Sequence, residues 1–325
     1  MFMKAIVYQK YGSPDVLELK DIEKPIPSDE EVLVKVHAAA ANPLDWHFMR
    51  GTPYLVRLMN GLLKPKNTML GADIAGSVES VGRNIEQFKP GDDVFGMSKG
   101  SVGGFAEYVC ARERSLALKP ANISFEEAAA APVAAFTALQ GLRDTGKIQS
   151  GQTVLINGAS GGVGTFAVQI AKSFGAVVTG VCSTRNLDMV RSIGADHVID
   201  YTKEDFTRNG QCYDLIYDAI ANHSALEYRR ALSPGGICSI VGFSTMFHML
   251  NEMLVGSLVS MIGSKKIVGM GVAKPNQKDL IIIKELLESG KIKSVIDRRY
   301  PLSEVREAIR YLETGRARGK VIITV

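Results

Sequence analysis

A glycine-rich segment at residues 158–164, Gly-Ala-Ser-Gly-Gly-Val-Gly, has the residue types and spacing to hold phosphate groups. The apolar run at 153–157 predicts a strand before it, and apolar residues at helical spacing from Val163 to Phe174 predict a helix after it. Glycines let the backbone approach a pyrophosphate, and a helix start offers free N–H groups. This succession predicts a dinucleotide site, with a ligand-free turn as the alternative. The predicted contacts are Ser160, Gly161, Gly162, Val163 and Gly164.

The residues after the next predicted strand indicate which dinucleotide would bind. In NAD enzymes of this kind an acidic side chain about 20 residues past the glycines holds the ribose 2′-hydroxyl. Here Ser183-Thr184-Arg185 occupies that position, and Asp188 lies further on, inside the next predicted helix. A hydroxyl and a guanidinium suit a 2′-phosphate. The sequence therefore predicts NADPH, with Ser183 and Arg185 as contacts; a solvated surface arginine is the alternative for Arg185.

The elements that must position these residues alternate between strand and helix from Ser124 onwards. This alternation predicts an α/β, doubly wound parallel sheet with helices on both faces. Ser124 and Glu127 predict a capping box at the first helix. Strands are predicted at residues 153–157, 177–181, 197–200, 215–218, 237–241 and 266–270, and helices at 125–142, 163–174 and 187–193.

The first 123 residues have a different pattern, with short β-rich runs separated by turn signals such as Gly12-Ser13-Pro14. They predict a compact, barrel-like β domain. Helices at 279–287 and 303–312 and a final strand at 321–325 follow the parallel sheet, and we expect this strand to return to the N-terminal domain. The predicted domains are residues 1–123, completed by 274–325, and residues 124–273.

Composition limits the possible partners and locations. The net charge is +4 and no basic stripe is present, so we expect no nucleic acid partner. The apolar stretch at 253–263 is shorter than the ~20 residues that span a bilayer. It predicts a buried or interface helix, and we expect no membrane partner. Four cysteines without a CxxC pair fit a reducing compartment, and we recognise no targeting peptide, so a cytoplasmic location is predicted.

Several segments together resemble the medium-chain dehydrogenase/reductase superfamily, in its zinc-independent quinone oxidoreductase (zeta-crystallin-like) branch. The resemblance covers essentially the whole chain. It implies a GroES-like catalytic domain, a Rossmann domain that binds NADP, and a cleft between them. The matching segments are residues 41–45, 71–76, 89–94, 104–108, 135–138, 157–164, 168–172 and 315–320.

Departures from the zinc-dependent members of that superfamily predict a site without a metal. Asn42 stands where those enzymes place a zinc-binding cysteine, and Gly71-Ala72-Asp73 stands where they have Gly-His-Glu. Their cysteine-rich structural zinc lobe is missing, and the five histidines show no ligand spacing. Without this Lewis acid, alcohol oxidation is harder, and acceptors that take hydride readily are favoured. We therefore predict hydride transfer from NADPH to a quinone or an α,β-unsaturated carbonyl compound.

Asn42 and Asp45 are the candidate catalytic residues. The resemblance places Asn42 in the family's Asn-Pro motif, where its amide would donate a hydrogen bond to a substrate carbonyl. The alternative for Asn42 is a cap of the turn before Pro43. Asp45 would orient a neighbouring group or act as a helix cap. His47 is a possible general acid, with packing beside Trp46 as the alternative.

Further cofactor contacts are predicted at four places. By resemblance, Thr137 lies near the nicotinamide, Tyr201 lies near the 2′-phosphate ribose, and a C-terminal segment reaches back to the cofactor. The alternatives are a hydrogen bond to the helix's own backbone for Thr137, packing at the sheet edge for Tyr201, and a basic cluster at a helix end for the C-terminal segment. The end of the fifth predicted strand also faces the ligand crevice. The end of that strand comprises Val241, Gly242 and Phe243, and the C-terminal segment comprises Arg318, Gly319 and Lys320.

The sequence also predicts an oligomeric state, and it leaves two alternative functions open. Residues 267–272 read as an exposed edge strand, and relatives dimerise through such strands, so we predict a homodimer. The first alternative function is an NADPH-binding structural or regulatory protein with little turnover. The second is a zinc-free alcohol or aldehyde dehydrogenase-like activity. The glycine segment does not separate these alternatives, because binding and turnover share it.

Overall fold

Contacts within the chain divide it into two units. The computed structural model describes residues 1–242, 264–270 and 273–325. The first unit comprises residues 1–133, 275–290 and 294–325, and the second comprises 134–274 and 291–293. The first boundary therefore lies at 133/134, later than the predicted 123/124. The second lies at 274/275, one residue beyond the predicted 273/274.

The described residues contain the following strands and helices in chain order. The strands are β1 (Phe2–Val7), β2 (Glu18–Glu23), β3 (Glu31–Ala41), β4 (Asp73–Val81), β5 (Asp93–Met97), β6 (Tyr108–Arg112), β7 (Leu116–Leu118), β8 (Thr153–Asn157), β9 (Val177–Cys182), β10 (His197–Asp200), β11 (Tyr213–Asp218), β12 (Leu232–Ile240), β13 (Lys266–Gly269), β14 (Ile296–Pro301) and β15 (Lys320–Thr324). The α-helices are α1 (Pro43–Arg50), α2 (Leu55–Asn60), α3 (Phe125–Ala129), α4 (Pro132–Gln140), α5 (Gly162–Ser173), α6 (Leu187–Ser192), α7 (Ala225–Ala231), α8 (Gln277–Glu288) and α9 (Val305–Glu313).

The first unit is built on a seven-stranded sheet with the order β14-β15-β3-β4-β5-β7, and β6 also pairs with β3. β1 and β2 form a separate antiparallel pair. The final strand β15 runs antiparallel to β3, with Val321 opposite Ala41 and Thr324 opposite Ala38. The expected return of the last strand to the N-terminal part of the chain is therefore confirmed. This pairing brings the start of β15 next to the end of β3.

The second unit is a six-stranded parallel sheet with the order β10-β9-β8-β11-β12-β13. Strands β8 to β10 extend the sheet in one direction and β11 to β13 extend it in the other. The order therefore reverses between β8 and β11, and ligands of such sheets bind beyond the carboxyl ends of the strands at this reversal. The predicted doubly wound parallel sheet is confirmed. The strand predicted at 266–270 corresponds to β13 at one end of this order.

The alanine-rich segment after Ser124 forms two helices, so the single helix predicted at 125–142 is wrong. α3 ends before Pro132, α4 begins at Pro132, and a π-helical turn follows at Gly141–Thr145. Proline lacks an N–H group and disfavours a helical conformation of the preceding residue. The capping box of Ser124 and Glu127 is confirmed. α3 packs against β3 and β4, which is why the first unit extends past residue 123.

Three predictions fall partly or wholly outside the described residues, and one of them is the cofactor contact Phe243. The helix predicted at 253–263 lies outside them, and so do residues 271–272 of the predicted edge strand. Among the helices that the structure does describe, none is both long enough and apolar enough to cross a membrane.

Candidate active site and nucleotide site

The glycine turn lies where β8 ends and α5 begins, and its glycines serve different purposes. Gly158 has a φ of +82°, which favours glycine. A Cβ at Gly164 would lie 2.0 Å from the carbonyl oxygen of Gly158, so α5 packs too closely for a side chain. Gly161 has an ordinary φ of −82°, and the nearest atom to a Cβ there would be 3.5 Å away. Protein packing therefore explains Gly158 and Gly164 but not Gly161.

The space beside Gly161 is suited to a phosphate group. Gly161 is the N-cap residue of α5, so no N-cap side chain occupies the N–H groups of the first turn. That turn contains the predicted contacts Gly162, Val163 and Gly164. Backbone N–H groups at a helix start bind anions, and glycine at the cap lets a phosphate approach them. The residues present therefore fit the pyrophosphate of a dinucleotide.

A second polar turn lies at the carboxyl end of β9, and it includes the predicted contacts Ser183 and Arg185. The chain makes a 3₁₀ turn at Thr184–Asn186, and the Arg185 side chain is exposed. The Asn186 Nδ2 atom donates to Ser183 Oγ at 3.2 Å and to Ser160 Oγ of the glycine turn at 3.0 Å. One buried amide therefore links the two predicted hydroxyl contacts. Sequence reasoning missed Asn186, because its spacing from Ser160 carries no local signal.

Carboxylates near this turn are engaged with protein groups. Asp188 on α6 is fully exposed and pairs with Arg191. Asp200, at the end of β10, accepts hydrogen bonds from the hydroxyls of Thr184 and Thr202. These bonds lower the pKa of Asp200 to about 2, so it is ionised at neutral pH. The turn at 183–186 itself carries no carboxylate that would bind a ribose diol.

The remaining predicted cofactor residues of the second unit differ in position and in exposure to solvent. Tyr201 follows β10 and is 62% exposed. Thr137 is half-buried on α4, and its carbonyl oxygen accepts a hydrogen bond from the Tyr217 hydroxyl at 3.1 Å. Val241 and Gly242 are half-buried after β12, and Phe243 lies outside the described residues.

Gly242 has a structural explanation that differs from the predicted one. A Cβ at this position would lie 2.3 Å from the carbonyl oxygen of Ala219. The glycine therefore permits close approach of the loop after β11, whereas the sequence predicted that it admits a ligand. A direct cofactor contact of Gly242 stays a prediction.

A buried polar cluster at the reversal of strand order holds the loop after β11. The Asp218 Oδ1 atom accepts hydrogen bonds from the backbone N–H groups of Ile220 and Ala221, each at 2.7 Å. Asp218 Oδ2 accepts from the Tyr228 hydroxyl at 2.6 Å and from Asn157 Nδ2 at 3.0 Å. Burial and the Asp218 charge raise the pKa of Tyr228. Sequence reasoning missed this cluster, although Asn157 and Asp218 both end predicted parallel strands, which was a usable signal.

In the first unit, Asp45 caps backbone N–H groups. Its Oδ2 atom accepts from the Asn42 N–H at 2.7 Å, and its Oδ1 atom accepts from the Gly71 N–H at 2.8 Å. Asp45 is 1% exposed, and burial raises its pKa to about 7 against the opposing effect of these two bonds. These contacts support the cap interpretation, and the catalytic role of Asp45 stays a prediction.

Asn42 lies at the start of α1 in a buried network with Asp73 and Lys320. Its Nδ2 atom donates to Asp73 Oδ2 at 2.9 Å and to the Ala40 carbonyl oxygen at 3.1 Å. Its Oδ1 atom accepts from Lys320 Nζ at 2.6 Å, and Lys320 also contacts Asp73 Oδ2 at 3.1 Å. Both amide hydrogens of Asn42 are used within the protein. Donation to a substrate carbonyl would require one of these bonds to break, so the contacts favour a positioning role.

The C-terminal segment is also organised by contacts within the first unit. The Lys320 ammonium, predicted to contact the cofactor, lies in the network of Asn42, and its side chain is 4% exposed. Gly319 has a φ of +92°, and a Cβ there would lie 2.2 Å from the carbonyl oxygen of Val295. The Arg318 N–H donates to Asp297 Oδ2 at 2.9 Å. Local packing therefore explains Gly319, and cofactor contacts of this segment stay predictions.

Comparison with known proteins gives the family. Residues 28–121 match an alcohol dehydrogenase GroES-like domain, and residues 193–323 match a zinc-binding dehydrogenase domain. The chain is 37% identical to the 2-methylene-furan-3-one reductase of Solanum lycopersicum, over 99% of this chain and 79% of that protein. The chain belongs to the medium-chain dehydrogenase/reductase superfamily.

Two further members of the superfamily are similar over most of their length. The chloroplastic NADPH-dependent alkenal/one oxidoreductase of Arabidopsis thaliana is 36% identical, with 99% of this chain and 79% of that protein covered. The solved quinone oxidoreductase of Coxiella burnetii has a TM-score of 0.88 and 31% identity over 100% of both chains. The predicted membership of the superfamily and the resemblance to its quinone oxidoreductases are confirmed, as are the GroES-like and Rossmann folds. The zinc independence of the predicted branch stays a prediction.

One of the two matching domains is described as a zinc-binding dehydrogenase domain, so the presence or absence of zinc ligands bears on the mechanism of this chain. Among residues 1–242, 264–270 and 273–325, no group of three or more His, Cys, Asp or Glu side chains is placed to hold a metal ion. Asp73, in the position of a zinc-dependent member's glutamate, is instead paired with the Lys320 ammonium. A cationic side chain therefore balances the charge of this carboxylate.

Proposed function

We propose that this protein is an NADPH-dependent oxidoreductase that reduces α,β-unsaturated carbonyl compounds or quinones. The observation that carries the cofactor assignment is the pairing of two turns. The glycine turn has space for a pyrophosphate beside Gly161, and the turn at 183–186 offers hydroxyls and Arg185 without a carboxylate. The names of the similar reductases support the substrate class. The specific substrate within this class is not part of the proposal.

The residues of the chain bind and orient the reactants in this proposal. NADPH, when bound, supplies a hydride, which an enone accepts at its β-carbon and a quinone accepts on its conjugated system. Negative charge then develops on the acceptor oxygen, where hydrogen-bond donors stabilise it before a proton arrives from solvent or a nearby side chain. Asn42, Asp45 and Lys320 position the start of α1 through buried contacts. The N–H groups at the start of α5 and the hydroxyls of Ser160 and Ser183 hold the dinucleotide.

We propose that the reaction uses no zinc. Asn42 stands where zinc-dependent members have a zinc-binding cysteine, and Asp73 stands where they have the glutamate of Gly-His-Glu. Asn42 Oδ1 and Asp73 Oδ2 are already bonded to the Lys320 ammonium. A metal at this place would have to displace that ammonium or leave two cations close together. Elemental analysis of the purified protein tests this point: we expect far less than one zinc per chain, and stoichiometric zinc would contradict it.

The proposed activity is tested with purified protein, NADPH or NADH, and a panel of quinones, enones and alkenals. We expect NADPH oxidation above background with at least one acceptor, and slower oxidation of NADH. An Arg185→Ala variant should lose most of the preference for NADPH, while the exposed Arg191→Ala variant should keep it. Tight NADPH binding without turnover across the panel would instead support the structural or regulatory alternative.

Assembly, location and the roles of the units stay predictions. We propose that the second unit binds the dinucleotide and the first unit binds the acceptor. β13 ends the strand order of the parallel sheet and has a partially exposed Val268, which supports pairing with a second copy. Gel filtration with light scattering should give a dimer, and a monomer would contradict this.

Fluorescence microscopy of the tagged protein tests the cytoplasmic location, since a similar reductase is named as chloroplastic.

A further inference from the structure

The side chain of Asn186 is buried with one hydrogen-bonding atom unused. The residue is 4% exposed, at the junction of the turn after β9 and α6. Within the part of the chain that the structure describes, Asn186 Oδ1 is the one buried side-chain nitrogen or oxygen without a hydrogen-bond partner. Buried polar atoms are nearly always paired, and leaving one unpaired destabilises the folded protein. This arrangement therefore calls for a functional explanation.

The usual structural role of an asparagine at this position does not explain Asn186. Asparagine at an N-cap normally uses its side-chain oxygen to accept an N–H of the first helical turn. Asn186 is the N-cap residue of α6, and its side chain makes no such bond. Its backbone N–H donates to the carbonyl oxygen of Ser183 at 2.9 Å, which closes the 3₁₀ turn without the side chain.

The Asn186 amide is bonded instead to two hydroxyls on separate turns. Its Nδ2 atom donates to Ser160 Oγ at 3.0 Å and to Ser183 Oγ at 3.2 Å. A hydroxyl that accepts a hydrogen bond from an amide keeps its own hydrogen available for another acceptor. The opposite orientation of the amide would use those two hydrogens to satisfy Oδ1. The observed orientation therefore leaves both serine hydrogens available while Oδ1 is unpaired.

Both serines are half-buried and so are accessible to a ligand. Phosphate oxygens only accept hydrogen bonds, so a phosphate site needs donors with free hydrogens. The exposed Arg185 lies between Ser183 and Asn186 in the same turn and adds positive charge. We propose that Asn186 is a positioning residue that holds the Ser160 and Ser183 hydroxyls as a pair of donors for the 2′-phosphate of NADPH. This inference rests on the proposed cofactor.

Calorimetric binding to the cofactor-free protein tests the proposal without relying on turnover. The probes are NADP⁺ and NAD⁺, together with adenosine 2′,5′-bisphosphate and 5′-AMP, which differ only by the 2′-phosphate. We expect Asn186→Ala to reduce the ratio of NADP⁺ to NAD⁺ affinity by about tenfold. Asn186→Asp keeps the size of the side chain but accepts the serine hydrogens and adds negative charge, so it should reduce this ratio further.

Two comparisons separate positioning from a structural effect. In a Ser160→Ala/Ser183→Ala background, Asn186→Ala should cause no further change in the affinity ratio, because the residue acts through these hydroxyls. Asn276→Ala removes an asparagine cap at α8 of the first unit and serves as the control, with lower thermal stability but an unchanged ratio.

Different results would overturn the positioning role of Asn186 and the proposed cofactor. Equal loss of affinity for NADP⁺ and NAD⁺ in Asn186→Ala and Asn186→Asp would overturn the positioning role, as would a ratio within twofold of the wild type. Additive effects in the double-serine background would also overturn it. Wild-type protein that binds NAD⁺ as tightly as NADP⁺ would instead overturn the proposed cofactor, before any variant is compared.

Discussion

Two buried polar clusters, one in each unit, use an asparagine side chain in opposite ways. In the first unit every hydrogen-bonding atom of the Asn42 amide is bonded to Lys320, Asp73 or Ala40. In the second unit the Asn186 amide donates to two serines, and its oxygen is unpaired. A saturated cluster stabilises one conformation of the protein. An unsaturated cluster beside accessible hydroxyls has capacity left for a ligand.

This difference separates a cluster that stabilises the fold from a cluster that can bind a ligand. The network of Asn42 joins the end of β3, the start of β4 and the start of β15, so it supports the fold around α1. The cluster of Asn186 joins two turns at the carboxyl ends of β8 and β9, where ligands of parallel sheets bind. Substitutions in the first cluster should therefore affect stability most, and those in the second should affect binding most.

The largest expected effect comes from breaking the first cluster at Lys320. Lys320→Met leaves the buried Asp73 carboxylate without its cation, which should destabilise the fold by about 3–5 kcal/mol in urea unfolding. The control is Lys172→Met, which breaks the half-exposed ion pair with Asp196 and should cost under about 1 kcal/mol. If Lys320→Met does not fold, the double variant with Asp73→Asn should regain part of the stability. Equal effects of Lys320→Met and Lys172→Met would contradict a role for buried charge.

A smaller loss of stability is expected at the loop after β11. Tyr228→Phe removes the hydroxyl that donates to the buried Asp218 carboxylate, and should cost about 1.5–3 kcal/mol. Tyr213→Phe is the matched control, because its hydroxyl donates to the neutral Gln211 amide, and it should cost about 0.5–1.5 kcal/mol. Chemical denaturation of both variants measures the difference. A smaller effect of Tyr228→Phe than of Tyr213→Phe would show that the Asp218 bond is not important.

The second unit offers a substitution that should affect binding alone. Gly161→Ala places its Cβ no closer than 3.5 Å to other atoms of the protein, so thermal stability should change little. Dinucleotide affinity should fall about tenfold or more, because the methyl group occupies the space for the phosphate. Gly164→Ala, with its Cβ 2.0 Å from a carbonyl oxygen, should instead destabilise the fold. Unchanged affinity in Gly161→Ala would contradict the phosphate site.

The pH dependence of stability in the first unit gives a separate test of the buried carboxyl group of Asp45. Burial raises the pKa of Asp45 from 3.8 to about 7, so between these values the folded protein keeps a proton that the unfolded chain releases. This contribution to stability is therefore fully present below about pH 4 and is lost as pH rises to about 7. The free energy of unfolding of the wild type, minus that of Asp45→Asn, should fall by up to about 1.4 kcal/mol per pH unit. A difference that does not vary with pH would contradict the raised pKa.

Much of the second unit was predictable because its signals are local. Strands at 153–157 and 197–200 coincide with β8 and β10, and α5 begins within one residue of its predicted start. The helix at 125–142 was mispredicted because the effect of Pro132 was not considered, although that signal was also local.

The site was less predictable, because residue type does not reveal which hydrogen-bonding atoms are used. Gly161 and Gly242 were both interpreted as ligand glycines, and only contacts with Ala219 show that Gly242 allows loop packing. Lys320 was assigned to the cofactor by resemblance to the family, whereas its ammonium lies with Asn42.

The sequence by itself determined the order of strand, glycine turn and helix, the parallel sheet, and the lack of an acidic residue in the turn at 183–186. These features depend on backbone preferences and hydrophobic periodicity over a few neighbouring residues. Tertiary structure alone decided that Lys320 would meet Asn42, 278 residues earlier, and that Asn186 would join Ser160 to Ser183. Side-chain hydrogen bonds depend on positions that chain folding brings together, so the spacing of these residues in the sequence could not specify their partners.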